Sequence, residues 1–351
     1  MQMTPRERIL AAINHEPTDR VPIDYWGVWE ITEKLFKHFG VNDMLGLSKS
    51  LELDKIMGVG APMKPDCARS NPWNIETVRI KLPDGSGYYD EQTKFPLANF
   101  ETIDEIEANY KWPTADMFDY SKIREEAKKC REAGYAVETG YISLTLFYLH
   151  LRGIEQMLID FASDEEMADY ILEKANDFAS EHTRCLLDAA DGYIDITQVT
   201  DDFGTQRGLL MSEAMIERYL GKYYKQNIKM ANDYNVKVFH HDDGAVMSLV
   251  PWIVQKGCHV LNPLQWHLPG WDLQKLKNDF GNKICFHGGI DNQDVLPFKK
   301  PEDVKAEVRA CIDVLYKDKT GYILAPCHNI QAFTPIENIL TMYSYAKEYS
   351  S

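Results

Sequence analysis

The chain has 351 residues, 44% of them hydrophobic and 26% charged, and its 38 basic against 54 acidic residues leave a net charge of −16. A surface of that sign repels phosphate backbones and anionic lipid headgroups, so nucleic-acid and membrane-surface binding are disfavoured, whereas a cationic patch on a partner protein would be attracted. No stretch approaches the roughly 18 uninterrupted apolar residues of a membrane span. The N-terminus shows no apolar signal region, and the seven irregularly spaced cysteines read as reduced thiols, so a cytoplasmic protein is expected.

In chain order, Thr4 caps a first helix that runs to about His15, with Pro5 at its first position and Glu7 placed to complete a capping box. This helix precedes the first strand and is placed to close the bottom of a barrel. Strand candidates follow at 21–26, 54–58, 135–139, 194–199, 236–242, 259–263, 284–288 and 321–326. Helical patterns at 165–189, 212–232, 272–280, 301–316 and 335–349 separate most of the later ones. Strands alternating with helices imply parallel βαβ units, and eight of them predict an α/β fold of the (β/α)₈ TIM-barrel type spanning 1–351 as one domain. A doubly wound open sheet competes, but no glycine-rich phosphate fingerprint follows an early strand. Between strands 2 and 3, a turn at Pro83-Asp84-Gly85-Ser86-Gly87 flanked by 75–80 and 88–94 predicts a β-hairpin insertion. It either covers the substrate entrance or is a solvated ornament. The acidic stretch 100–109 reads as a solvated helix start.

Catalytic residues of such barrels come from the C-terminal ends of the strands. Here those ends are unusually polar: Tyr25 and Trp26 on strand 1, Glu138 on strand 3, Asp201 and Asp202 after strand 4, and His241 and Asp243 on strand 5. Asn262 and Gln265 follow on strand 6, His287 and Asp291 on strand 7, and Cys327, His328 and Asn329 on strand 8. His241 and Asp243 are two apart, so both can point the same way off an extended strand end and bind a divalent metal with a third ligand from another strand. Alternatively the carboxylate hydrogen-bonds the imidazole and fixes its tautomer. Cys327, across the barrel mouth, is the candidate third ligand, against the alternative of a buried apolar thiol; the other six cysteines read as structural. Of Asp201 and Asp202, one is expected to act as acid, base or cation holder and the other to cap the loop. Glu138 is a further ligand, a general base or a plain hydrogen-bonding group. Tyr25, Trp26, Asn262, Gln265, His287 and His328 are expected to line the substrate site.

These residues carry a resemblance to the uroporphyrinogen decarboxylase superfamily and, within it, to the cobalamin-dependent methyltransferase branch. It rests on Thr4-Pro5-Arg6-Glu7-Arg8, Asp19-Arg20-Val21-Pro22, Asp201-Asp202-Phe203-Gly204-Thr205-Gln206, His241-Asp242-Asp243-Gly244, Gly288-Gly289-Ile290-Asp291 and Cys327-His328-Asn329-Ile330 with Thr334-Pro335-Ile336-Glu337-Asn338. The superfamily fold is a (β/α)₈ barrel. True decarboxylases carry an arginine-rich motif at the first strand, where this chain reads Pro22-Ile-Asp-Tyr-Trp-Gly-Val-Trp-Glu30, aromatic and free of arginine. The thiol-methylating branch binds zinc through a His-x-Cys pair and a distant Cys. His241 and Cys327 match that set, and Asp243 stands at the first Cys position, a departure that makes the metal a harder Lewis acid.

The resemblance therefore implies a methyltransferase that uses zinc to move a methyl group between a small donor, such as a methoxylated aromatic, and the cobalamin of a corrinoid protein. Its alternatives are a decarboxylase or lyase on a carboxylated substrate and a non-catalytic corrinoid or small-molecule binding protein. The oligomeric state stays open, a homodimer included.

Overall fold

The computed structural model describes residues 2–67, 69, 71–82 and 87–351. The first helix, Pro5–Ile13, forms with the expected capping box: the Thr4 hydroxyl accepts from the Glu7 N–H, and the Glu7 carboxylate accepts from the Thr4 N–H at 2.8 Å. The strands are β1 (Met57–Gly58), β2 (Glu76–Lys81), β3 (Tyr88–Lys94), β4 (Val137–Ser143), β5 (Ile196–Thr200), β6 (Lys237–His241), β7 (Val260–Asn262), β8 (Cys285–Ile290) and β9 (Tyr322–Pro326). Seven of them form a parallel sheet in the order β1-β4-β5-β6-β7-β8-β9, while β2 and β3 pair antiparallel.

The remaining wall of the barrel is the segment 21–27. Ile23 bridges Leu324 and Gly27 bridges Ile330, both in parallel, and on the other side the Asp54 N–H donates to the Ile23 carbonyl at 2.8 Å. The segment thus stands between β9 and β1, and the fold is the expected TIM-type barrel. A regular strand does not form over 21–26, for local reasons. Pro22 has no N–H, the Ile23 N–H is taken by the Asp54 carboxylate at 3.0 Å, and the Tyr25 N–H by Asp24 Oδ1 at 2.7 Å. Side-chain carboxylates take the place of ladder partners.

Sequence periodicity located the long outer helices, which form as Glu165–Ala190, Glu213–Asp233, Leu273–Phe280, Pro301–Leu315 and Ile336–Ser350. It passed over others of two or three turns, among them Trp29–Phe39, Ile123–Glu132, Leu144–Arg152 and Ile154–Ser163. The hairpin insertion is present as β2 and β3; residues 83–86 of its expected turn lie outside the described residues. Gly87 approaches Ala332 and Glu30, so this end of the ribbon lies at the side of the barrel where β9 ends. Among the described residues no helix is long and apolar enough to cross a membrane.

The barrel interior follows from the two-residue period of a strand. Ile56, Ala136, Ile196, Phe239, Val260, Cys285 and Ile323 form one buried apolar cluster with Ile9, Ala12 and Ile13 of the first helix, which therefore plugs the bottom. Two residues further along the same inward face come Gly58, Glu138, Gln198, His241, Asn262, His287 and Ala325. A dry apolar layer is thus overlaid by a polar one, with Trp26 packed against the apolar cluster from above.

Candidate active site

Two loops at the C-terminal ends of β5 and β6 are locked together by backbone contacts. The Thr200 hydroxyl donates to the His241 carbonyl and accepts from the His241 N–H, and the Asp201 N–H donates to the same carbonyl at 3.2 Å. Asp242 Oδ1 accepts from the N–H groups of Phe203 (2.8 Å) and Gly204 (3.2 Å), and the Ala245 N–H donates to the Thr205 carbonyl. The loops approach so closely that a Cβ on Gly204 would lie 2.0 Å from the Asp243 carbonyl oxygen. Gly244, at φ +103°, faces the Thr205 backbone. Gly204→Ala is therefore expected to cost about 1–3 kcal/mol through overpacking and to displace Asp243. Urea denaturation measures the first effect; an unchanged midpoint would show that the loops yield freely.

At the centre of the mouth stand His241, Asp243 and His328, whose ligand atoms all lie within 4.8 Å of one another. His241 Nε2 and His328 Nε2 are each 3.6 Å from Asp243 Oδ2, and His241 Nε2 is 3.9 Å from Asp202 Oδ1. Trp26 stacks on His241 with ring centroids 5.5 Å apart and meets His328 edge-on at 6.4 Å. Burial opposes a charge on His241, but the bond and charge of Asp243, helped by Asn262 and Asp202, outweigh it and hold the imidazole at about 9. For His328, burial pulls the basicity down and Asp243 only partly restores it.

This cluster fits a divalent metal. Two imidazoles and a carboxylate are a borderline-soft N/O donor set suited to zinc. Asp243 Oδ1 is buried and has no hydrogen-bond partner. The three ligand atoms lie close enough together for one cation to reach, and such a cation would take the place of the proton that His241 holds toward Asp243.

The other expected site residues divide sharply. Asp201 is fully buried and caps the helix Leu144–Arg152: its Oδ1 accepts from the Thr145 N–H (2.7 Å), the Thr145 hydroxyl (2.5 Å) and the Ser143 hydroxyl (3.2 Å). Burial pushes its carboxyl up to about 7 against those bonds. Asp202, with a side chain 44% exposed, is the member of the pair that faces the cluster. Glu138 accepts from Gln198 at 3.1 Å, and burial raises its carboxyl above the ordinary range. Both residues line a cavity of about 390 Å³ with Tyr141, His182 and the glycines 58, 60 and 140.

Asn262 and His287 are buried beneath the cluster rather than exposed to a ligand. Gln265 receives the Gly244 N–H and so braces the turn after Asp243. Tyr25 is not at the mouth: it is buried with its hydroxyl 2.8 Å from that of Thr32. Trp26 points inward, and its neighbour on a strand must point out. Cys327 does not join His241 and Asp243 either. Its thiol donates to the Leu264 carbonyl at 3.1 Å and borders a separate small cavity with Gln265, His267 and Asp291. His328, one residue later, takes the third place in the cluster.

Sequence reasoning passed over Asp24, Lys55 and Tyr141. Asp24 shares the inward parity of Trp26, a signal present in the alternation. Tyr141 stands 41% exposed, and its phenol is held protonated by burial and by the nearby charges of Asp202, Asp201 and Asp243. Its place depends on the register shift between Glu138 and Tyr141, where Gly140 adopts φ +79°.

The fold and the site define a parallel α/β barrel with a histidine–carboxylate cluster at the C-terminal ends of its strands. The family model described as uroporphyrinogen decarboxylase (URO-D) matches residues 143–349, and the chain belongs to that family. Among solved structures, a methyltransferase from Methanosarcina mazei superposes with a TM-score of 0.68 at 16% identity, covering 99% of each chain. A sugar phosphate isomerase/epimerase from Parabacteroides distasonis matches at a TM-score of 0.40 and 9% identity, covering 95% of this chain and 96% of its own. No curated protein sequence matches the chain.

Proposed function

We propose that the chain is a methyltransferase that moves a methyl group between a small methyl donor and the cobalamin of a corrinoid protein. The observation that carries this reading is the convergence of His241, Asp243 and His328 at the barrel mouth, with the indole of Trp26 against the two imidazoles. Family membership supports it, as does the shared fold of the protein named a methyltransferase.

His241, Asp243 and His328 would hold a zinc ion. When bound, such an ion supplies Lewis-acid polarisation of the donor's oxygen or nitrogen, which is otherwise a poor leaving group. Trp26 covers one side of the cluster and keeps water from it. Asp202 and the protonated Tyr141 stand at the open side, where the phenol can donate a hydrogen bond to the departing heteroatom. The cavity beside Glu138, Gln198 and Tyr141 would take the body of the donor, with Glu138, held toward its neutral form by burial, as a hydrogen-bonding group. In the net reaction the methyl–heteroatom bond breaks with its electron pair left on the heteroatom. The reduced cobalamin of the partner protein would serve as the methyl acceptor, and the heteroatom would take up a proton.

The family's name favours a second reading, decarboxylation of a carboxylated substrate. Against it, Lys55, a cation adjoining the polar layer, is already paired with Asp24 at 3.4 Å, and the first barrel segment supplies no arginine to grip carboxylates.

Mixing the protein with a reduced corrinoid protein and a panel of methoxyaromatics, methylamines and methylthiols should convert the cob(I) spectrum to that of methyl-cob(III)alamin with one donor class. A panel with no spectral change, together with carbon dioxide release from a carboxylated substrate, would replace methyl transfer by the lyase reading.

A further inference from the structure

Beneath the cluster, polar side chains from β6, β7, β8 and, across β9, the first barrel segment touch in single file. His241 Nδ1 lies 2.5 Å from Asn262 Oδ1, Asn262 Nδ2 lies 2.8 Å from His287 Nδ1, and His287 Nε2 lies 3.0 Å from Asp24 Oδ2. Lys55 Nζ stands 3.4 Å from the other Asp24 oxygen, which also receives the N–H groups of Tyr25 and Ile56. Asp24, Asn262 and His287 are fully buried.

The direction of every proton in this file can be worked out from what each group is able to do. An amide nitrogen only donates and an amide oxygen only accepts, so the orientation of Asn262 sets the rest. The His287 backbone carbonyl, which can only accept, lies 3.4 Å from Asn262 Nδ2, so the amide nitrogen belongs on the His287 side. His287 Nδ1 must then be an acceptor, its proton sits on Nε2, and that proton goes to Asp24, whose charge is balanced by Lys55. On the other side Asn262 Oδ1 can only accept, so His241 carries a proton on Nδ1. Its Nε2 is left to face Asp243 and His328.

We propose that Lys55, Asp24, His287 and Asn262 form a positioning chain that holds His241 with Nδ1 protonated and Nε2 aimed at the ligand cluster. The role assigned to Nε2 rests on the metal reading proposed above; the proton order does not. None of these four residues touches the cluster's common point, so they act through His241. A hydrogen bond to the far nitrogen of a ligating imidazole fixes the ring and raises its basicity, and loss of such a partner typically lowers metal affinity about 10–100-fold.

Nitrogen-15 spectra of histidine-labelled metal-free protein test the order directly, with His287→Gln used to assign the signals. His287 should be neutral with its proton on Nε2; a His287 protonated on Nδ1 alone overturns the proposal. Cobalt(II) titration followed by visible absorption supplies the second readout. Asn262→Leu, close to isosteric, should bind cobalt about 10–100-fold more weakly. Asn262→Asp still accepts the His241 proton but cannot donate to His287, so it should restore cobalt affinity to within a few-fold of wild type while changing the His287 signals. Asn262→Leu binding as tightly as wild type, or Asn262→Asp failing to rescue, would count against the chain. Wild-type protein that binds no cobalt would sink the metal role of the cluster, and the nitrogen spectra would still decide the proton order.

Discussion

Purified His328→Ala protein is expected to contain no tightly bound divalent metal, whereas Cys327→Ala retains it. The expectation reverses what the residue types suggest, because a thiolate is the better zinc ligand. Geometry decides otherwise. The Cys327 thiol points at the Leu264 carbonyl, and burial, reinforced by the neighbouring Cys311, holds it well above its ordinary range. A thiol must lose its proton to ligate, and the described hydrogen bond uses that proton. His328 reaches the cluster from the other side of the mouth, with Nε2 3.6 Å from Asp243 Oδ2. His241→Ala and Asp243→Ala should lose the metal as fully as His328→Ala, each by more than the roughly 100-fold upper range seen when only a supporting group is lost. Elemental analysis of the four variants beside wild type reads the result and also separates zinc from ferrous iron, which two histidines and a carboxylate accept as well. Metal retained in His328→Ala and lost in Cys327→Ala would restore the thiolate ligand.

Asp54→Ala is expected to destabilise the protein by about 3–5 kcal/mol, the usual cost of breaking a buried ion pair by removing one partner. Asp54 is fully buried. It accepts from Arg8, from Arg20 at 2.6 Å and from the Ile23 N–H at 3.0 Å. Its removal leaves Arg8, itself buried, with Asp19 as its remaining carboxylate at 2.6 Å. It also frees the N–H of the segment that stands between β9 and β1, so the loss falls on barrel closure as well as on the helix that plugs the bottom. Urea unfolding gives the difference, and a change below about 1 kcal/mol, the scale of an exposed pair, would show that the pair is screened. This network gives a physical role to Arg8, Asp19 and Arg20 of the two N-terminal motifs: they secure the first wall of the barrel from below, away from the chemistry.

Much of the fold was legible in the sequence because its signals are local. Alternating strands and helices, a capping box at Thr4 and apolar periodicity over the long outer helices each depend on residues within a few positions of one another. The polar ends of β5 and β6 were legible for the same reason, since His241 and Asp243 stand two apart. The first barrel segment was harder to read, because Asp54, 31 residues after Ile23, takes the N–H that a regular ladder would use.

By itself, then, the sequence determined the barrel, its hairpin insertion, and the half of the candidate site that comes from one strand end. Tertiary structure alone decided the partners across the mouth. Whether Cys327 or His328 completes the cluster depends on how the chain turns after β9. Which of Asp201 and Asp202 caps a helix depends on where Thr145 lies, and whether Asn262 and His287 bind a ligand or support His241 depends on their depth beneath it. Such choices turn on distances between residues tens to hundreds of positions apart, set by the closure of the barrel, and local pattern carries no information about them.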